Sequence, residues 1–451
     1  LYAFILLLYI INQVLSLPII NYFLGILSIT ILLFTVGKAG RLFQTVGLIF
    51  LGLGLIVVFS EGLYSLELLT YFRSLLGLLA LFFVLPFMNA IIKLGRYDKT
   101  LSRMIGMKTD DAGTLYKKTS FATYVLTIFL NVATVPVIIS SVRDKVKHFG
   151  ETFTQVFFTH GILRPYALVL FWSPTEILLA MTLDITGQSY LWLLPVLWVN
   201  SLLFLYADWR LHQRKWSRYP LRQEETKNDP ESLALIKKKG IEMGLAVLAF
   251  VIIVLTGNQW IDLGFLFIVT VTIIPFSFAW SIAIKKPKIY CRLGYLMAKN
   301  NKDKLHGMFF LFLSAGFFVE LMPYTSPFAY INTIVQYVYE TDMYFLLFLL
   351  IGMFIFGLAF IGFHPLVTIA LLIPFIDPFV GELSFGLTLT IVSSAVCTMM
   401  IGPFNVTPAV LGMYINLNPY QVSLKNILFA FLFMIWNISA AYGITKLLEV
   451  V

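Results

Sequence analysis

The chain has 451 residues, 59% of them hydrophobic and 12% charged, with a mean hydropathy of +0.88; no single water-soluble core could hide that much apolar surface. Its net charge of +9 sits in loop clusters of Lys and Arg and not on an aromatic-interleaved face, so no nucleic-acid partner is expected. Cys291 and Cys397 lie far apart without metal-ligand spacing, which argues against a disulfide framework or a zinc site.

Apolar blocks recur at 3–11, 19–36, 46–58 and 75–87 and onward along the chain. Lipid leaves the backbone only its own groups to bond with, so such blocks must be helices, and the spacing predicts an all-α polytopic membrane protein with about 11 transmembrane helices. Residues 1–42 read as an opening helix pair. Its first member, 1–15, is expected to span the membrane and not to act as a signal peptide, because no small-residue cleavage site follows a basic start.

Basic clusters fix the expected orientation, because short Lys- and Arg-rich loops stay in the cytoplasm. They fall at Lys38 and Arg41, at 93–118, at Arg143 to Lys147, at 210–239 and at 285–304. The N-terminus and the 208–240 loop are therefore expected inside and the C-terminus outside. Residues 94–118 mix Lys99, Arg103 and Lys117 with Leu101 and Ile105, the pattern of a helix lying in the interface plane.

Within the first half, 43–207, the stretch 119–148 begins and ends at lysines, so both ends favour the cytoplasm. The spacing predicts a re-entrant hairpin that turns at Asn131 to Pro136. A single plain crossing is the alternative, and it would put the basic loop after Trp209 on the wrong face. A broken helix follows over 151–185, interrupted at Trp172-Ser173-Pro174-Thr175. Residues 208–240 read as a cytoplasmic linker.

The second half, 241–451, repeats this order upside down. Its hairpin is expected at 343–380, turning at Gly362-Phe363-His364-Pro365, and its broken helix at 384–416, interrupted from Gly402 to Pro408. Residues 173–181 align without gaps to 405–413, with Thr, Leu and Met coinciding. Paired interruptions in an inverted repeat point to a transporter binding site.

With these hairpin tips and breaks, the chain resembles the ion transporter superfamily, which includes divalent anion:sodium symporters and citrate carriers. Members carry Ser, Asn and Thr at hairpin tips and helix breaks, where substrate carboxylates and sodium bind. The corresponding places here hold Asn131 and Thr134, Ser173 and Thr175, Gly362 to Pro365, and Asn405 and Thr407. The resemblance implies a homodimer and a sodium site involving Asn131, Ser173 and Asn405.

The chemistry of the breaks points the same way. Half-helix N-termini attract anions, while freed carbonyls suit Na⁺. A plainer possibility is that the prolines kink packed helices and nearby Ser and Thr cap the freed groups. Ionisable residues inside apolar segments mark function by default. Of His160, Arg164, Glu176, Asp184, Glu320 and His364, Glu176 follows the first break and could bind a proton or cation, or pair structurally with Arg164 or another base. Arg164 could face an anionic substrate or snorkel to the interface. His364 stands at the second hairpin tip and could couple protons or be a hydrogen-bonded structural residue. Asp184 and Glu320 lie near expected membrane faces and read as solvated.

These residues predict a secondary active transporter for a small anionic solute, coupled to Na⁺ or H⁺, with membrane lipid as its surroundings and no cofactor beyond that ion. No Gly-Lys-Ser/Thr phosphate loop, His-Glu-x-x-His or Gly-x-Ser-x-Gly pattern is present, so neither ATP-driven transport nor enzyme activity is expected. A membrane-embedded enzyme or flippase acting on a lipid-linked substrate, or a passive channel, are the competing readings.

Overall fold

The computed structural model of the chain describes residues 1–106, 109–221 and 230–449. Among the described residues all regular structure is helical. The opening part holds α1 (Tyr2–Leu15), α2 (Pro18–Thr35), α3 (Arg41–Ser60), α4 (Leu68–Tyr71), α5 (Leu76–Leu94) and α6 (Tyr97–Gly106). Next come α7 (Ala112–Leu130), α8 (Thr134–Val146), α9 (Glu151–Leu170), α10 (Ile177–Thr186) and α11 (Tyr190–Trp216). The second half opens with α12 (Pro230–Trp260), α13 (Phe265–Ala283), α14 (Pro287–Asn300), α15 (Lys302–Leu321) and α16 (Ser326–Glu340). It closes with α17 (Tyr344–Ile361), α18 (Pro365–Ile376), α19 (Val380–Ile401), α20 (Val406–Ile415), α21 (Pro419–Leu424) and α22 (Ile427–Leu448).

Eleven helical segments among the described residues are long and apolar enough to cross a membrane, and the protein is an integral membrane protein. Helix α1 is not among them. Its 14 residues give roughly 21 Å at 1.5 Å per residue, short of a hydrocarbon core of about 30 Å. Ser16 in the left-handed region, φ 52°, and Pro18 at the start of α2 end it early. The 208–240 linker is also shorter than the sequence suggests: α11 continues to Trp216 and α12 starts at Pro230. Residues 222–229 of that linker lie outside the described residues.

Burial separates central from peripheral segments. The span at Lys302–Tyr324 is 83% buried and that at Ala234–Trp260 only 22%, so α15 is a core element and α12 presents most of its surface outward. Tyr97 on α6 is fully buried; its hydroxyl donates to Glu242 of α12 at 2.9 Å and accepts from Trp280 of α13 at 3.2 Å.

Helix pairings recur in the two halves. Helix α7 packs on α9 and α17 on α19; α11 lies against both α7 and α9, and α22 against both α17 and α19. Across the halves the partners are exchanged: α5 meets α13 and α3 meets α15, while α10 meets α18 and α20 meets α8.

Two helix pairs double back on themselves. Asn131 ends α7 with φ 47°, a conformation Asn tolerates better than most residues, and a single 3₁₀ turn, Asn131–Ala133, leads into α8. Lys118 near the start of α7 and Lys145 near the end of α8 are close enough to repel each other. In the second pair Gly362, φ 109°, makes the turn, and Tyr339 packs its ring against both Tyr344 at the start of α17 and Phe379 just past α18, with centroids 5.9 and 4.3 Å away. Pro136 does not cause the first turn, as the sequence suggested. It is the third residue of α8, where a missing N–H costs nothing.

Candidate functional site

Both expected interruptions are present. The first spans Phe171 to Glu176 and the second Gly402 to Asn405, with Thr407 and Pro408 already inside α20. The first is two residues longer, so the nine-residue match between 173–181 and 405–413 cannot stay in register with both flanking helices.

Helix ends inside an apolar body leave backbone groups that must find partners. At the first break Tyr190 Oη donates to Trp172 O at 2.6 Å, and Trp172 Nε1 donates to Tyr124 Oη at 2.5 Å. At the second, Thr398 O accepts from both Gly402 N at 2.7 Å and Asn405 Nδ2 at 2.6 Å. The N-terminus of α18 is capped by His364, whose Nδ1 accepts from Leu366 N at 3.3 Å. Glu176 caps α10 more loosely, accepting from Leu178 N at 3.5 Å. Helices α8 and α20 have no side-chain cap at all.

The first turn and both breaks come together. Thr175 Oγ1 donates to Ile128 O at 3.0 Å and lies 3.0 Å from Ser173 Oγ, tying the first break to the end of α7. Tyr166 of α9 is fully buried and donates its hydroxyl to Asn131 Oδ1. The same hydroxyl faces Thr407 of α20. The Thr134 and Thr407 hydroxyls are fully buried in the first turns of α8 and α20; Thr407 is in reach of the Tyr166 hydroxyl, and Thr134 has no hydrogen-bond partner among the described residues.

Beside this junction lies a cavity of about 40 Å³ lined by Asn89, Thr127, Asn131, Thr175 and Glu176 with apolar neighbours. A single water needs roughly 10–15 Å³ on this measure, and small-molecule pockets run to roughly 300–1,000 Å³, so the space suits an ion or a few waters and not an organic solute. Glu176 is 5% exposed, and none of the ion pairs among the described residues includes it. Thr127 is buried with its hydroxyl unpaired at the same cavity.

His364 stands apart. Its ring meets Phe312 of α15 edge-on with centroids 5.7 Å apart, and none of its described contacts reaches Glu176, Asn131 or Thr407. Its turn does approach the second break, where Gly362 lies against the Phe404 ring. Asp184 is exposed and accepts from Leu266 N at 3.0 Å, capping α13, and Glu320 is exposed.

Sequence reasoning singled out His160 and Arg164 but missed Asp208, His212 and Tyr116, with which they form a second polar cluster. Arg164 does not pair with Glu176; its Nη1 lies 2.6 Å from Asp208 Oδ1, and its Nε donates to Asn426 Oδ1 at 3.0 Å. Tyr116 donates to the other Asp208 oxygen. His212 sits one turn beyond Asp208 on α11, and His160 one turn before Arg164 on α9. That i, i+4 spacing was the available signal. Among the described residues no group of three or more His, Cys, Asp or Glu side chains could hold a metal ion.

The eleven apolar segments, doubled-back helix pairs and paired interruptions define a polytopic helical membrane protein. The chain is similar in structure to the YdaH transporter of Alcanivorax borkumensis, a protein described as having an unusual topology; the TM-score is 0.52 at 14% identity, over 89% of this chain and 97% of that one. No family model and no curated relative matches the sequence.

Proposed function

We propose that the protein is a secondary active transporter moving a small anionic solute by alternating access, with Na⁺ or H⁺ as the coupling ion. One observation carries this: Glu176 is buried at a chain break, outside any ion pair among the described residues, and lines a cavity of ionic size. A carboxylate in that position is costly to keep charged, and a bound cation or proton removes the cost. Asn131, Thr127 and Thr175 supply neutral oxygen ligands beside it.

The anion belongs at the uncapped first turn of α20, where the helix dipole favours negative charge, beside the start of α8, whose Thr134 N–H is already bonded within the preceding 3₁₀ turn. The unpaired Thr134 hydroxyl is a donor for the same ligand, and the Thr407 hydroxyl beside Tyr166 is a second. On this reading Ser173 and Asn405, one at each break, serve the anion, and His364 acts only through its turn beside the second break. Cation and anion then lie on either side of Tyr166, so each favours binding of the other.

The exchanged helix pairings support placement in the ion transporter superfamily, with α7–α8 and α17–α18 as re-entrant hairpins of two inverted repeats. The same reading makes the protein a homodimer, with the N-terminus and the 208–240 loop cytoplasmic and the C-terminus outside.

Proteoliposomes under an imposed Na⁺ or proton gradient, offered a panel of inorganic and small organic anions, test the proposal. Accumulation above equilibrium is the expected result. Equilibration without accumulation identifies a channel, and chemical conversion an enzyme. Ser173→Ala and Asn405→Ala are each expected to lose solute-dependent thermal stabilisation, and unchanged binding in both places the pocket elsewhere. The flippase alternative would use the apolar groove of about 430 Å³ beside α3, α15 and α16, lined by Leu53, Phe318 and Phe328; movement of a labelled lipid between leaflets is its signature.

A further inference from the structure

The polar cluster around Asp208 shares no residue with the Glu176 cavity and has a hydrogen-bond count of its own. His212 Nδ1 lies 2.9 Å from the Asp208 backbone carbonyl and 3.2 Å from its carboxylate. Both oxygens only accept, so this nitrogen carries a hydrogen. His160 Nε2 lies 3.1 Å from the Lys425 carbonyl and must also carry one. The two remaining ring nitrogens, His160 Nδ1 and His212 Nε2, face each other at 3.0 Å. If both rings were neutral, two lone pairs would meet at hydrogen-bonding distance. The contact is attractive only when one further proton lies between them.

We propose that His160 and His212 form a proton-binding site, holding one exchangeable proton between Nδ1 of the first and Nε2 of the second. The proton clasps α9 to α11 and, through Lys425, to the junction of α21 and α22. On its release the two facing lone pairs repel and the clasp opens. The charged and titratable groups around the pair are Arg164 on the same helix, Asp208 on α11 and Tyr116 on α7, with the Lys425 carbonyl from the second half. Arg164 and Asp208 are paired at 2.6 Å; the Arg164 charge opposes the shared proton and the Asp208 carboxylate favours it. His160 keeps part of its surface open, which gives the proton a way in.

The site does not depend on the transport reading, and its test needs no solute. Full-length protein labelled with ¹⁵N-histidine is placed in lipid nanodiscs and followed by NMR between about pH 5 and pH 8, the range in which histidine charge ordinarily changes. Two of the five histidines are expected to titrate together in one step of a single proton, with coupling across the N–H–N bond at low pH that vanishes above the step. His160→Gln and His212→Gln should each abolish the step and the coupling. Two rings that titrate independently, or that stay neutral throughout, overturn the proposal. The wild-type spectrum decides alone if either variant fails to fold, because the coupling reports the shared proton directly.

Discussion

Arg164 Nη1 and Asp208 Oδ1 lie 2.6 Å apart, in a buried ion pair that fastens α9 to α11 with side chains only 11% and 1% exposed. Removing one partner strands the other charge, so Asp208→Asn should cost about 3–5 kcal/mol of stability. Replacing both, as Arg164→Met with Asp208→Leu, should recover part of that loss but not all, because Tyr116 and His212 also bond to Asp208. Unfolding of the detergent-solubilised chain measures both effects. A single-variant loss within about 1 kcal/mol, the range of an exposed pair, contradicts the assignment.

Tyr166 holds the first turn beside the second break. Tyr166→Phe removes the donor to Asn131 Oδ1 and should lower stability by about 1–3 kcal/mol, the usual cost of an unpaired buried acceptor. Thermal unfolding checks the magnitude, and retention time on gel filtration confirms that the fold survives. A variant as stable as wild type would mean that Asn131 finds another donor.

Much of this arrangement was legible in the sequence. Apolar length gave the helices, and Gly362, Asn131, Pro174 and Gly402 marked the turns and breaks because each disfavours a continuing helix. Glu176 was readable as a carboxylate inside an apolar run. Asp208 and His212 were not: Arg210, Arg214 and Lys215 beside them make the end of α11 look like a loop, although it remains helical. The meeting of Tyr166 with Asn131 and Thr407 is a tertiary fact, and no local pattern encodes a contact between residues 35 positions apart.

Thr127 offers a prediction with opposite signs under the two readings of the cavity. Its buried hydroxyl has no partner among the described residues, so Thr127→Val is neutral or slightly stabilising if the cavity holds nothing that bonds to it. If the hydroxyl serves a bound cation or its water, the variant should weaken Na⁺-dependent stabilisation several-fold while leaving stability in choline chloride unchanged. Melting curves in the two salts separate these outcomes.

The most direct measurement concerns Glu176 itself. Thermal stability of the full chain in detergent is titrated with NaCl against choline chloride at two pH values, for wild type and Glu176→Gln. A cation or proton bound at Glu176 should stabilise the wild type by an amount that grows with its concentration, reaching about 2.7 kcal/mol at a hundredfold excess over the dissociation constant. The variant should respond to neither ion. A Glu176→Gln protein that responds as wild type does, or a wild type indifferent to both Na⁺ and pH, would contradict cation coupling at this break.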